Sequence, residues 1–294
     1  MYNFNYTKLP LKNIKNVYPI IGGYVNLSFA VETINNKFFL KLQPNSLNNF
    51  FDYEVSSLKE LQKKNIPVPK VINTGRLDNN SFLLLEFIDN NPSNHNGYGQ
   101  LGEIIGSMHQ NHHFLNLFGF SHDFKGGVIE FSNNWTSSWK HLFVKNRLDK
   151  LCSEIYKYRL FSYSDVLLYE DVRRVILKTL SYHKSQPSLL HGDLWKGNLL
   201  FSNNKPILCD PVCLYGDREF DLGYTLALGK FPIEFYQEYN KVYPLSIGYE
   251  KRIEFYKLYV FMVHLFAVGF EFYNKVKYTM YNILNKHGAD FLQE

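Results

Sequence analysis

The chain has 294 residues, 45% of them apolar and 20% charged, and a net charge of +5. That is ample apolar material for one large domain or two lobes with real cores, and it excludes a disordered or fibrous chain. The positive charge is small and scattered, without a Lys/Arg block dense enough for a nucleic-acid surface, so nucleic acid is not expected as a partner.

Val17 to Ile21 reads as a short strand ending at Gly22-Gly23, and Leu27 to Ile34 as a second after Tyr24-Val25-Asn26. Lys37 to Leu42 forms a third. Glycines between strands let backbone approach a phosphate, although such a pair alone more often only turns a hairpin. Lys41 adds weight: a lysine inside an apolar strand needs a partner. Glu54 supplies one, beside the apolar face Phe51, Val55, Leu58 of a helix over residues 50–58. Glu60 is the competitor, nearer the helix end.

Pro67 and Pro69 stop that helix, and Val71 to Gly75 and Ser81 to Glu86 give two more strands. Phe87 to Pro92 reads as a hinge whose backbone, near Glu86 and Ile88, would meet an adenine edge. Boundaries follow at 1–86 for a nucleotide-binding lobe, 87–92 for the hinge and 93–294 for a catalytic and acceptor-binding lobe. Beyond the hinge, Tyr98 to His113 carries a helical stripe, and residues 117–135 form an aromatic-rich irregular loop. Helices are expected over Trp135–Leu151 and over Ser164–His183, the latter with Val166, Leu167, Val172, Val175, Ile176 and Leu180 inward. His109 is given no catalytic role.

Residues 189–221 carry the chemistry: LLHGDLWKGNLLF, a polar turn, then PILCDPVCLYGDREFD. Asp193, Asn198 five residues later and Asp210 after a hairpin have the spacing of metal-assisted phosphoryl transfer. The first Asp orients an acceptor hydroxyl, and the Asn and second Asp hold magnesium. The charged run Asp217 to Asp221 would anchor the loop or line an acceptor pocket. Arg218 would pair with neighbouring carboxylates, and Asp221 would cap a helix over 222–228 or hold the catalytic loop backbone. Helices with aromatic inner faces follow, over 249–270 and 271–285. The most apolar run, Leu258 to Phe270, is too short to cross a bilayer. No signal pattern opens the chain, and Cys152, Cys209 and Cys213 have neither disulfide nor zinc spacing, so a cytoplasmic protein is expected.

HGDLWKGN, DPVCLYGDREFDLG, GGYVN, FGFSHDFKGG with NNW, and PLSIGYEKR together resemble the fructosamine kinase (ketosamine-3-kinase) family, from about Ile20 to about Gly269. The resemblance implies an α+β, bilobal protein-kinase-like fold with a small antiparallel sheet lobe and a larger helical lobe. It implies an ATP- and magnesium-dependent phosphotransferase acting on the 3-hydroxyl of a ketosamine, a deglycation repair role. Lys41 and Glu54 are then the nucleotide-positioning pair, with Gly22, Gly23, Asn26, Glu86 and Ile88 around the nucleotide. Asp193 is the catalytic base, Asn198 and Asp210 hold the metal, and Trp195, Asp217 and Glu219 border the sugar-amine. Lys196, Cys213-Leu214 and Phe220 depart from the family pattern and could retune the acceptor pocket. The glycine loop has no cysteine for a redox-linked dimer, so a monomer or weak dimer is expected. The rival readings are an aminoglycoside, choline or homoserine kinase and, from another class, a catalytically inactive nucleotide-binding protein.

Overall fold

Five antiparallel strands form one sheet in the order β1-β2-β3-β5-β4: β1 (Ile14–Pro19), β2 (Leu27–Thr33), β3 (Lys37–Gln43), β4 (Val71–Leu77) and β5 (Asn80–Glu86). The computed structural model describes residues 4–21, 26–46, 49–91, 95–125, 127 and 129–288. Gly22 and Gly23 lie outside the described residues. Strand β3 is central, and its period of two sends Leu40 and Leu42 to one face and Lys41 to the other. Leu40 and Leu42 join Phe29, Val31, Phe82 and Leu84 in a core that Leu9 closes from the N-terminal segment. On the opposite face Leu83 and Leu85 meet Phe51 and, from helix α1 (Asp52–Lys63), Val55 and Leu58. The strand geometry therefore aims Lys41 at α1.

Strand β1 begins and ends earlier than expected. Ile20 still donates to Ser28 O at 2.8 Å, but Ile21 is fully exposed. This edge strand alternates weakly, so the apolar Ile20-Ile21 pair misleads. After β5, residues 87–91 have no regular structure. There Phe201 N donates to Asn90 Oδ1 at 2.9 Å, and Asn91 N donates to Phe201 O at 2.6 Å.

The rest is helical: α2 (His95–His109), a π-helix (His141–Asp149) running into α3 (Lys150–Lys157), α4 (Tyr163–Tyr182), α5 (Glu219–Ala227), α6 (Ile233–Val242), α7 (Tyr249–Ala267) and α8 (Tyr273–Gly288). Two small hairpin-like pairs carry the site, β6 (Ser188–Leu190) with β9 (Leu214–Gly216) and β7 (Leu199–Ser202) with β8 (Lys205–Leu208). The helix expected over 135–151 starts at Trp139 and runs as a π-helix from His141 to Asp149. It buries Leu142, Phe143, Val144, Arg147 and Leu148, an arc broader than an α-helical stripe, and apolar periodicity does not separate the two. In α4 the inward stripe runs through Tyr169, Val172, Val175, Ile176 and Leu180, and Leu167 is exposed. Helix α7 ends at Ala267, so Phe270 belongs to a separate short turn and is exposed. Among the described residues no helix is long and apolar enough to cross a membrane.

Part of the aromatic excess builds the core of the helical lobe. Trp139, Phe143, Phe220, Tyr224, Tyr256 and Tyr259 stack and edge against one another at centroid distances of 4.9–6.4 Å.

Candidate active site

Lys41 Nζ lies 2.7 Å from Glu54 Oε1 and 2.8 Å from Asp210 Oδ1, with the lysine 5% exposed. Burial alone would push its ammonium down, but the two carboxylates outweigh that and hold it above its ordinary range. The competitor Glu60 is engaged elsewhere, accepting from Tyr215 Oη at 3.0 Å. That bond belongs to a set tying α1 to the chain after Asp210. Tyr53 Oη donates to Cys213 O at 2.6 Å, and Cys213 N donates to Ser57 Oγ at 3.1 Å. Glu54 is thus held in place by bonds made on either side of it along the helix.

The catalytic loop closes on itself. Asn198 Nδ2 donates to Asp193 O at 2.9 Å and to Asp193 Oδ2 at 2.7 Å, and Asn198 N donates to Trp195 O at 3.0 Å. Cys209 N donates to Asn198 O at 2.9 Å, which sets Asp210 beside the loop. Burial pushes the Asp193 carboxyl up to about 7; the Asn198 bond opposes this, and the Asp210 and Asp221 carboxylates add to it. A weaker hydrogen bond reaches Asp193 from the Trp195 side chain. Trp195 itself folds over Gly197, where an added Cβ would lie 2.2 Å from the indole ring.

His191 and Asp221 fix that loop from beneath. His191 Nδ1 accepts from Asp193 N at 3.3 Å, so its Nε2–H donates to Cys209 O at 3.0 Å. Burial keeps the imidazole below its ordinary pKa and hence neutral, as that pattern requires. Asp221 accepts from His191 N at 2.7 Å and Gly192 N at 2.8 Å, and pairs with His109 Nε2 at 3.1 Å. Of its two expected roles, Asp221 takes the one of holding the loop backbone. Gly192 has φ +83°, and a Cβ there would sit 1.8 Å from Val212 O, so glycine is required.

Asp217 and Glu219, expected to border the sugar-amine, are buried, 2% and 1% exposed. Asp217 accepts from His183 Nε2 at 2.8 Å, Ser185 Oγ at 2.7 Å and Glu219 N at 2.9 Å, so it caps α5. Glu219 takes Arg252 of α7 through both oxygens, at 2.6 and 2.8 Å. Ligand-type atoms of His183, Asp217 and Glu219 lie within 4.8 Å of one another, and Arg252 already occupies both Glu219 oxygens. Arg218 pairs with no carboxylate among the described residues. It donates to Tyr243 O at 2.6 Å and Pro244 O at 2.5 Å, with its guanidinium 3.6 Å from the Tyr243 ring centroid. The GDREFD run is a structural knot because each charged residue in it bonds a partner elsewhere in the chain.

Of the remaining expected nucleotide contacts, Glu86 N donates to Lys70 O at 2.9 Å and its Oε2 accepts from Lys70 N at 3.3 Å. The Ile88 backbone makes no hydrogen bond among the described residues, and Asn26 Oδ1 is buried without a described partner. Sequence reasoning missed two residues. His109 supports Asp221, and Asn133 links the aromatic loop to α1 by donating to Tyr53 Oη at 3.1 Å while accepting from Arg147. For Asn133 a signal existed, the NNW motif; for His109 none did.

The fructosamine kinase family profile matches residues 5–286. A probable ketoamine kinase of Staphylococcus aureus is 41% identical over 94% of this chain and 96% of its own length. The chloroplastic protein-ribulosamine 3-kinase of Arabidopsis thaliana is 33% identical over 85% of this chain and 77% of its own. The crystal structure of a Haemophilus somnus protein assigned as a fructosamine-3-kinase superposes with a TM-score of 0.82 at 30% identity, covering 92% of each chain. With the lysine pair, the closed aspartate–asparagine loop and the second aspartate assembled in a protein-kinase-like fold, the chain belongs to the fructosamine kinase family.

Proposed function

We propose that this protein phosphorylates the 3-hydroxyl of a ketosamine, fructosamine or ribulosamine, with ATP and magnesium, in a deglycation role in the cytoplasm. The observation that carries the reading is the convergence of Lys41, Glu54 and Asp210 with a loop that binds Asn198 to Asp193. The donor set suits a hard cation: Asn198 uses its amide nitrogen on Asp193, which leaves its carbonyl oxygen, and Asp210 is half-exposed. Asn198 and Asp210 would hold magnesium and Lys41 the phosphates, and the bound nucleotide would supply the phosphoryl group. The unpaired Asn26 Oδ1 and the Ile88 backbone fit the rest of a nucleotide.

Within this site Asp193 orients the acceptor hydroxyl and takes its proton. Trp195 offers the sugar an apolar wall, its ring backed by Gly197. Lys41 stays charged because two carboxylates face it, and it is the cation poised for negative charge spreading over the transferred group.

The test is magnesium- and ATP-dependent phosphorylation of glycated lysine in fructosyl and ribulosyl forms, with Asp193→Asn as control. Turnover lost in the variant is expected, and the preferred sugar names the acceptor. ATP binding without turnover of either adduct would overturn the substrate class.

A further inference from the structure

We propose that Lys196 selects acceptors carrying a carboxylate, which makes free glycated amino acids better substrates than the same sugar on a neutral peptide. The inference deepens the ketosamine reading and rests on it. Lys196 is exposed and opens the short turn Lys196–Asn198 in the catalytic loop, three residues after Asp193. Three residues span at most about 11 Å. Here they span less, because Asn198 reaches back to both the backbone and the carboxylate of Asp193. Lys196 therefore stands at the apex of a closed loop, within about one screening length of the reacting hydroxyl.

Among the described residues Lys196 has no ion pair or hydrogen bond, and the acidic groups near the loop are committed. Asp193 faces Asn198, Asp217 faces His183 and Ser185, Glu219 faces Arg252, and Asp221 faces His109 and two backbone N–H groups. The two carboxylates expected to draw in a cationic amine are buried and bonded within the chain. Lys196 is thus an exposed positive charge on the loop that carries Asp193, and it favours an acceptor that brings a negative group of its own.

The experiment compares Nα-acetyl-Nε-fructosyl-lysine with its methylamide, which differ in one carboxylate, on the wild type, Lys196→Ser and Lys196→Glu. An exposed pair of this kind supports a kcat/KM preference of about two- to five-fold for the carboxylate. The preference should fall to about one in Lys196→Ser, reverse in Lys196→Glu, and shrink in the wild type at about 1 M salt, where screening reaches about 3 Å. Equal use of both acceptors by the wild type overturns the proposal. So does an equal loss on both acceptors in Lys196→Ser with a raised KM for ATP, which would assign the lysine to the nucleotide. Absence of turnover with either acceptor overturns the ketosamine reading itself and this inference with it.

Discussion

The residues expected at the phosphates and those expected at the acceptor are held in different ways. Lys41 bonds Glu54 and Asp210, and Asn198 bonds Asp193, two groups drawn from separate parts of the chain. On the acceptor side, Asp217 and Glu219 come from one short run and are buried in bonds of their own. Phosphate and magnesium impose the same few ligand types on any chain that handles them, so spacing alone exposes those residues. An acceptor imposes no such pattern, and a charged run beside the site serves equally well to fasten α5 to α7. The general lesson is that acidic residues next to a catalytic motif need a burial test before they are read as recognition.

The comparison can be broken most forcefully at Asp193. Asp193→Asn keeps the shape of the loop and removes the proposed base, so kcat should fall about 10²–10⁴-fold with no change in melting temperature. A stability loss of the same order as the activity loss would mean that the phosphate side, too, is mainly structural. The opposite outcome is expected for Arg252→Leu. That change strands the Glu219 carboxylate in the interior and should cost about 3–5 kcal/mol of unfolding free energy, read as a lower urea midpoint at constant slope. The fraction that stays folded should keep its KM for the acceptor. A raised acceptor KM with an unmoved midpoint would restore Glu219 to the acceptor pocket.

Gly192 lies where the two sides touch. Its Cβ position is 1.8 Å from Val212 O and its φ is positive, so Gly192→Ala must push the catalytic loop and the chain after Asp210 apart. A loss of about 3 kcal/mol in stability, with a fall in kcat larger than any change in KM, is the expected result.

Much of the small lobe was legible because strands alternate and hairpin turns are polar; four of its five strands fall where the pattern puts them. The edge strand slipped where alternation is weak. In the large lobe helices were legible but not their hydrogen-bonding class, since the π-helix buries the same residue types an α-helix would. The long-range supports of the site were not legible at all. His109 and Asp221 are 112 residues apart, as are many pairs that never meet, and only the packing of α2 beneath the catalytic loop brings them together.

The smallest expected effect isolates charge from shape. Asp217 caps α5 and also faces His183, and its carboxyl is held below its ordinary pKa: burial opposes this, but the His183 and Ser185 bonds outweigh burial. A carboxylate lowered in the folded state stabilises above its unfolded pKa and loses that contribution as pH falls through its folded value. Asparagine caps a helix as well as aspartate does, so Asp217→Asn keeps the cap and removes only the charge. At neutral pH the variant should be about 1 kcal/mol less stable, the margin between charged and neutral acceptor bonds. Below about pH 4 the wild-type advantage should fade until the two unfolding midpoints approach each other. If the gap instead stayed constant through the acid range, Asp217 would act by shape alone. The knot would then owe its stability to the Arg252–Glu219 pair, with Asp217 contributing only the geometry of its hydrogen bonds.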